Sequence, residues 1–326
     1  MSIIGRYNYL SRIIKAYLTP SLSQLSFWHG VPEINQILDL ENPLPYYMKF
    51  AYKANYNGEY DSKGIPLLNY HGKIGLQYNP IAIAQYGLGN YNLFLENQDI
   101  NRKNNFITVA EWLCDNLNEN YYKVPVWMHE FDFEYKEILR SPWYSGLAQG
   151  MGISLLLRAY EITKITRYKE KANMAYISFE KLIDEGGVTY IDGDGFHWIE
   201  EYIVSKPTHI LNGFMWALFG VYDMWKFCGN KHAKNLFMSC VDTLEKNLDK
   251  YDVGFWSKYE LTDLNFKMLA SPFYHDLHIA QLQIFYIITK KGYFKQLADN
   301  WENYKKSKIN RSRAIIEKSF FKIFYY

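Results

Sequence analysis

Prolines recur along this chain with a nearly fixed step. Pro142, Pro207 and Pro272 are spaced by 65 residues, and Pro80 stands 62 residues before the first of them. Each lies at or just before a segment of helical patterning, where the N–H that proline lacks has no intrahelical partner to lose. Behind Pro142, the residues Leu147, Met151, Leu155, Ala159 and Ile162 fall on one helical face. Behind Pro207 come Leu211, Met215, Leu218, Tyr222 and Trp225, and behind Pro272 come His275, Ile279, Leu282 and Tyr286. All three sets step by three or four, the α-helical period. A second stripe completes each unit: Ala172, Tyr176, Phe179 and Leu182; Ala233, Leu236, Cys240, Leu244 and Leu248; Leu297, Trp301 and Tyr304. A weaker first unit runs from Pro80 to Phe94 and from Val109 to Leu117. Helix pairs repeating at a fixed step read as stacked units that share a buried core. The expectation is a mainly α fold, an α/α toroid of about four helix hairpins with short β-hairpin inserts and an irregular N-terminal arm.

The inserts are legible between the helix pairs. Val188 and Tyr190, the turn Asp192-Gly193-Asp194-Gly195, then Phe196, Trp198 and Tyr202 predict a hairpin with a glycine turn. Tyr251 to Tyr259, with Gly254, reads the same way. Equivalent places in the repeat predict that the inserts line one mouth of the toroid. Residues 1–75, rich in proline and glycine from position 21, read as the arm, 76–305 as the toroid and 306–326 as a basic tail.

Charge follows this division. Residues 1–20 carry +3 and residues 305–326 carry +6, so the body between them carries −7 in a chain of net charge +2. That total is too small for nucleic-acid binding through bulk charge. Three cysteines, Cys114, Cys228 and Cys240, form no CxxC and are odd in number, which argues against a disulfide framework and for a reducing compartment. No apolar run reaches the length of a bilayer span, and no cleaved signal peptide is read. The expectation is a soluble, cytoplasmic chain. Both termini nevertheless place basic residues beside apolar ones: Ile3, Tyr7, Leu10, Ile14 and Tyr17 share a stripe flanked by Arg6, Arg12 and Lys15, and the C-terminus ends in Phe320 to Tyr326. That pattern predicts peripheral contact at the inner face of the membrane; the alternative is a stripe docked on the toroid and a loose tail. Aromatic residues make up 18% of the chain, 30 of them tyrosines. Either an AT-rich genome or a surface of rings that stack on sugars accounts for that number.

Several motif classes are excluded. There is no HExxH, and the pair His275 and His278 lacks a third ligand, so no metal is expected. The Asp192–Gly195 run departs from a calcium loop, with His197 at loop position six and Ile203 at twelve. No G-x-S-x-G elbow, dinucleotide fingerprint or phosphate-binding loop occurs, Gly150-Met151-Gly152 lacking both the preceding strand and a third glycine. Any chemistry therefore falls to Tyr, Glu and His without a cofactor. His197 to Tyr202 is the densest polar and aromatic segment, and as a strand it offers Trp198, Glu200 and Tyr202 on one face; a solvated edge with a packed Trp is the plain alternative.

Five segments, in order, resemble the D-glucuronyl C5-epimerase family over about residues 75–305. They are Ala84-Gln85-Tyr86-Gly87-Leu88, Trp143 to Gly150, Glu200-Glu201-Tyr202, Leu211-Asn212-Gly213-Phe214-Met215, and Tyr274-His275 with Gln281-Leu282-Gln283. The resemblance implies conversion of D-glucuronate to L-iduronate residues inside a heparosan-like polymer. It implies catalytic roles for Tyr202 and Glu201, for Tyr274, and for Tyr259 in Tyr259-Glu260-Leu261. Substrate contacts are expected from Tyr78, Arg140, Tyr144, Gln149, Trp198, Glu200, Asn212, Lys258, His275 and His278. Two departures stand out: Thr262-Asp263 occupies the place where the family carries an arginine, and only about ten residues lie between Glu96 and Phe106, where larger members insert a β-sandwich. His275, His278, Lys258 and Arg140 are the candidates to replace that arginine.

The expected partner is an acidic polysaccharide and not a nucleic acid, and a homodimer stays open. The alternatives are a uronate lyase, which shares the C5 abstraction and then eliminates, and a glycan-binding protein with a decayed site.

Overall fold

The computed structural model describes residues 27–28, 30–36, 44–70, 73–262 and 267–325, with side chains to 321 in the last stretch. The N-terminal stripe from Ile3 to Tyr17 lies outside the described residues. The chain divides into two compact units, one of residues 33–209 with 213–243, the other of 244–326 with 210–212 and the stretch up to Pro32.

In the larger unit, the arm region carries α1 (Ala51–Ala54) and an antiparallel meander of β1 (Glu59–Tyr60), β2 (Pro66–Asn69) and β3 (Leu76–Gln77). Helices α2 (Pro80–Asn97) and α3 (Ile100–Asp115) form the first hairpin. Pro80 is at the first helical position, and the Asn79 side chain accepts from the N–H groups of Ile81 and Ala82 at 2.9 and 3.2 Å. Short strands follow: β4 (Asn118–Glu119) with β5 (Pro125–Val126), β6 (Met128–His129) with β9 (Trp143–Tyr144), and β7 (Phe133–Glu134) with β8 (Ile138–Leu139). Next come α4 (Gly146–Thr163) and α5 (Thr166–Glu180), then the hairpin of β10 (Thr189–Ile191) and β11 (His197–Ile199). Helices α6 (Leu211–Cys228) and α7 (Lys231–Asn247) contribute their 213–243 portion.

A left-handed residue turns each hairpin. Gln98, Lys164, Gly229 and, in the smaller unit, Lys290 have φ of 56°, 59°, 64° and 59°. Their N–H groups close onto Phe94, Tyr160, Trp225 and Tyr286 carbonyls four residues earlier, satisfying helix-end acceptors. Glycine sets the closest helix approach. A β-carbon on Gly220 would fall 2.2 Å from the Gly150 carbonyl oxygen, so α4 and α6 cross backbone to backbone. Farther along that crossing, Arg158 and Asp223 make a fully buried pair at 2.5 Å. The guanidinium also donates to the Leu44 and Ser154 carbonyls, and Tyr47 Oη donates to Asp223 at 2.6 Å. These bonds satisfy both charges and tie residues 44–47 to two helices.

The smaller unit holds α8 (Pro272–Thr289), α9 (Gly292–Lys306) and α10 (Lys308–Tyr325). Pro272 is again the first helical residue, capped by Ser271. The segment expected as a second hairpin is a tight turn with bridges Asp252–Ser257 and Lys258–Leu269. Residues 308–325, expected as a tail, are helical: Ala314 packs into a cluster with Phe255, Trp256 and Leu269, and the buried Lys318 donates to the Leu269 carbonyl at 2.7 Å. The fold class is thus mainly α, with helix hairpins and small β inserts. Among the described residues, no helix is long and apolar enough to cross a membrane.

Candidate functional site

The β10–β11 hairpin forms as its sequence predicts. Asp192 Oδ1 accepts from the N–H groups of Asp194 and Phe196 at 3.0 and 2.9 Å, and Gly195 takes φ +84° to close the turn. The strand ends at Ile199, one residue short of the Glu200-Glu201-Tyr202 motif. Consequently the three side chains expected on one open face part company. Trp198 is 1% exposed, donates its indole N–H to Asp192 at 2.8 Å, and stacks on His209 with centroids 4.1 Å apart. Glu200 turns inward: Oε2 accepts from the N–H groups of Thr208 and His209 at 3.2 and 3.1 Å, and Oε1 meets His209 Nδ1 at 2.5 Å. Its main-chain carbonyl accepts from Gly146 N–H, the first residue of α4. Glu201 is buried against Gly213. Tyr202 alone is half-buried, its ring 4.6 Å from Tyr135 and 5.7 Å from Trp143. Tyr135 also places its hydroxyl 3.2 Å from Thr208 Oγ1, so Tyr202 and the 200–209 loop share one support.

The other expected residues of this unit have assigned work. Gln149 is fully buried, its amide accepting from Trp127 N–H and donating to the Trp127 and Ser145 carbonyls, so it braces β6 and α4. Tyr144 is half-buried on β9, and burial pushes its phenol up to about 12. Tyr78 is exposed, donating to Asp61 at 2.8 Å with its ring on Trp112. Arg140 is exposed and paired with Asp132 at 2.5 Å.

In the smaller unit, Tyr259 and Tyr274 meet edge to face with centroids 4.9 Å apart. Tyr259 is held by main-chain bonds to Met268 and from Leu211, and Tyr274 by the α8 cap. Asn212 receives the Gln281 side-chain N–H on its carbonyl at 3.0 Å. His275 stacks on Trp256 at 3.9 Å and joins Trp301 O through Nε2 at 3.0 Å. A carbonyl only accepts, so Nε2 carries the proton and Nδ1 is the acceptor facing Ser257 Oγ at 2.8 Å. Ser257 Oγ also contacts His278 Nδ1 at 3.0 Å. Burial drives His275 down to about 3, and burial followed by His275 and Lys318 drives His278 down as well. Burial thus works against the charged form of both histidines, which were candidates for the missing cation. Lys258 is half-buried, and burial, then Lys267, lowers its ammonium.

Among the described residues, no group of three or more His, Cys, Asp or Glu side chains comes together to hold a metal. His209, Tyr135 and Ser257, which sequence reasoning passed over, contact the expected residues Glu200, Tyr202 and His275 respectively. His209 had one available signal: a histidine between Pro207 and the apolar start of a helix.

The family description "D-glucuronyl C5-epimerase C-terminus" matches residues 120–303. A D-glucuronyl C5-epimerase of Caenorhabditis elegans is 30% identical over 217 residues, covering 61% of this chain and 34% of that protein. An uncharacterized protein of Methanocaldococcus jannaschii is 28% identical over 189 residues, covering 57% of this chain and 59% of its own. The chain thus spans about a third and about three-fifths of these relatives. Among solved structures, a glycosyl hydrolase family 88 protein from Bacteroides vulgatus is similar with a TM-score of 0.48 and 12% identity, covering 93% of this chain and 85% of that one.

Proposed function

The chain belongs to the D-glucuronyl C5-epimerase C-terminus family, and we propose from that premise that it converts D-glucuronate residues to L-iduronate within a heparosan-like acidic polysaccharide. The C5 proton lies α to a carboxylate. Removing it sends the C–H electron pair into the carboxylate as an aci-carboxylate dianion, and inversion follows when a proton returns from the opposite ring face. An ordinary phenol, with pKa near 10, is a weak base at neutral pH and needs a neighbour to take its proton. The observation that supports this reading is the family match, which covers all three motif tyrosines. Tyr202 follows a buried carboxylate, Glu201, and Tyr259 and Tyr274 touch. Tyr202, Tyr259 and Tyr274 are the proposed proton carriers, with Glu201 assisting Tyr202. Incubation with N-sulfated heparosan in heavy water tests this. Deuterium at C5 of internal uronate supports the reading. Ultraviolet absorbance from an unsaturated uronate would instead make the protein a lyase, and binding without exchange would make it a glycan-binding protein.

The proposal extends to place. Exposed Ile309, Ile316 and Phe320 recur at helical spacing on α10, opposite the buried Ala314, Lys318 and Phe321. Lys308 is exposed beside them. Basic charge flanking an apolar stripe suits an anionic membrane surface, where intracellular glycan polymers are assembled.

A further inference from the structure

The turn that joins β4 to β5 holds two tyrosines out into solvent. Tyr121 is 93% exposed and Tyr122 53%, and their rings meet edge to face with centroids 5.4 Å apart. The main chain beneath them is closely bonded. Asn120 N–H donates to the Val124 carbonyl and Lys123 N–H to the Asn120 carbonyl, each at 2.9 Å, and Lys123 takes φ +63°. The buried Asn120 side chain accepts from the N–H groups of Tyr122 and Val124 at 2.9 and 3.1 Å and donates to the Gly186 carbonyl at 2.8 Å. Gly186, at φ +86°, lets the two turns touch, since a β-carbon there would fall 2.5 Å from Tyr122 Cβ. The backbone that presents the rings is thus ordered in advance, and a partner need not pay to order it.

Tyr144 on β9 joins the pair. Burial, then the Tyr122 phenol, pushes its own phenol up to about 12, while a hydrogen bond with the Asn120 side chain works the other way. The three phenols grade from half-buried Tyr144 to almost bare Tyr121, and all belong to the larger unit. Charge on the two turns shows no excess of cations. Lys123 is ion-paired with Glu119 at 3.5 Å, and beside Gly186 the exposed Lys181 is matched by exposed Asp184 and Glu185. Such a surface does not select for carboxylates. Rings with an apolar face and a hydroxyl at one edge, two torsions from a fixed backbone, suit the C–H faces and hydroxyls of uncharged pyranoses.

We propose that Tyr121 and Tyr122 form a secondary binding site for a glycan strand, stacking on its uncharged sugar residues. This rests on the reading of the protein as acting on a polysaccharide. The site is a second hold on a polymer whose reacting uronate lies elsewhere along the same strand. A linked second contact raises affinity for the polymer with nothing added at the reacting sugar, and only strands long enough to reach both gain from it.

The test is calorimetric binding of heparosan chains, counted per tetrasaccharide unit, and of a heparosan tetrasaccharide, at low and high salt. The native chain is compared with the double variant Tyr121→Ser, Tyr122→Ser, which keeps the N–H that Asn120 accepts. Tyr121→Ser alone, at a ring almost wholly in solvent, decides the matter if the double variant does not fold. The native chain is expected to bind the polymer at least about tenfold more tightly than the tetrasaccharide. The serine variant is expected to lose most of that gain at both salt concentrations, because stacking on an uncharged sugar leaves no charge to screen. The double variant Tyr121→Phe, Tyr122→Phe, which keeps both rings, should retain it. A serine variant with the native preference for polymer overturns the proposal. So does a loss confined to low salt, a phenylalanine variant that fails like the serine one, or a native chain with no preference. Native C5 exchange alongside a preference that survives the serine variant would leave the epimerase reading standing without this site. A preference lost with the tyrosines, in a chain that shows no exchange, would keep the site and end that reading.

Discussion

The carboxylate of Glu201 fills the space in which any side chain at position 213 would have to begin. A β-carbon built on Gly213 falls 2.1 Å from Glu201 Oε2 and 2.6 Å from its Cβ. The glycine at the start of α6 is therefore the seat of the buried acid beside Tyr202. Gly213→Ala should improve helix propensity by up to about 1 kcal/mol while expelling the carboxylate. The expected result is C5 exchange reduced at least about tenfold, with a circular dichroism spectrum like that of the native chain. Native exchange rates in the alanine variant would show that Glu201 need not sit there.

Tyr202→Phe and Tyr274→Phe each remove one hydroxyl and leave the ring to pack against Tyr135 and Tyr259 respectively. Stability should change by about 1 kcal/mol, and exchange should fall by roughly 10²-fold or more, the scale of a general acid–base residue. Tyr259→Phe should behave in the same sense. Exchange and thermal melting measured on one preparation separate the two effects, and near-native exchange in either of the first two variants would reduce that tyrosine to packing.

These assignments show where the sequence is readable. Pro80 and Pro272 mark the first helical residues because a proline ring and an Asn or Ser cap are local facts. Pro142 and Pro207 stand four residues before α4 and α6, since β9 in one case and the Glu200-anchored loop in the other intervene. The repeated hairpin turns were hidden for a different reason: only one of four left-handed positions is glycine, and Gln98, Lys164 and Lys290 carry no signal for that conformation. Within the site, Glu200 and Glu201 are indistinguishable in a string of letters. What separates them is tertiary, the N–H groups of residues 208 and 209 for one and the bare Cα of residue 213 for the other. His275 and His278 were expected as substrate contacts from the family resemblance. Ser257, from another segment, turns them into a buried hydrogen-bonded cluster.

Acid should weaken this fold through its buried histidines. Burial holds His129, flat against Trp143 at 3.7 Å, and His275 at about 3, and His278 is also lowered. In the unfolded chain each titrates near 6.5. Below that value the unfolded state binds protons that the folded state refuses, so stability falls as pH drops from about 6.5 toward 3, by up to about 1.4 kcal/mol per pH unit for each histidine. Melting temperatures between pH 7 and pH 5 should decline. His129→Phe, which keeps the stack on Trp143, should make the decline shallower. A melting temperature flat across that range would show that these rings accept protons in place.

Membrane association is the remaining prediction, and α10 is where it can be tested without removing the helix. Lys318 and Phe321 are buried and Arg313 lies 3.9 Å over the Phe255 ring, so the inner face holds the helix to its unit. Deleting the segment would uncover Phe255, Trp256 and Leu269 and confuse a binding defect with a folding one. Ile309, Ile316 and Phe320 face outward and can be changed alone. Each cation near an anionic leaflet contributes about 1 kcal/mol and is screened by salt, while each buried apolar side chain adds about 1.5–3 kcal/mol. The full chain should float with phosphatidylserine-containing vesicles at low ionic strength and be released at high salt. The triple variant Ile309→Ser, Ile316→Ser, Phe320→Ser should stay in the soluble fraction at both, with an unchanged melting temperature. Flotation of the triple variant like the native chain would move the contact elsewhere, and a native chain that never floats would end the membrane proposal.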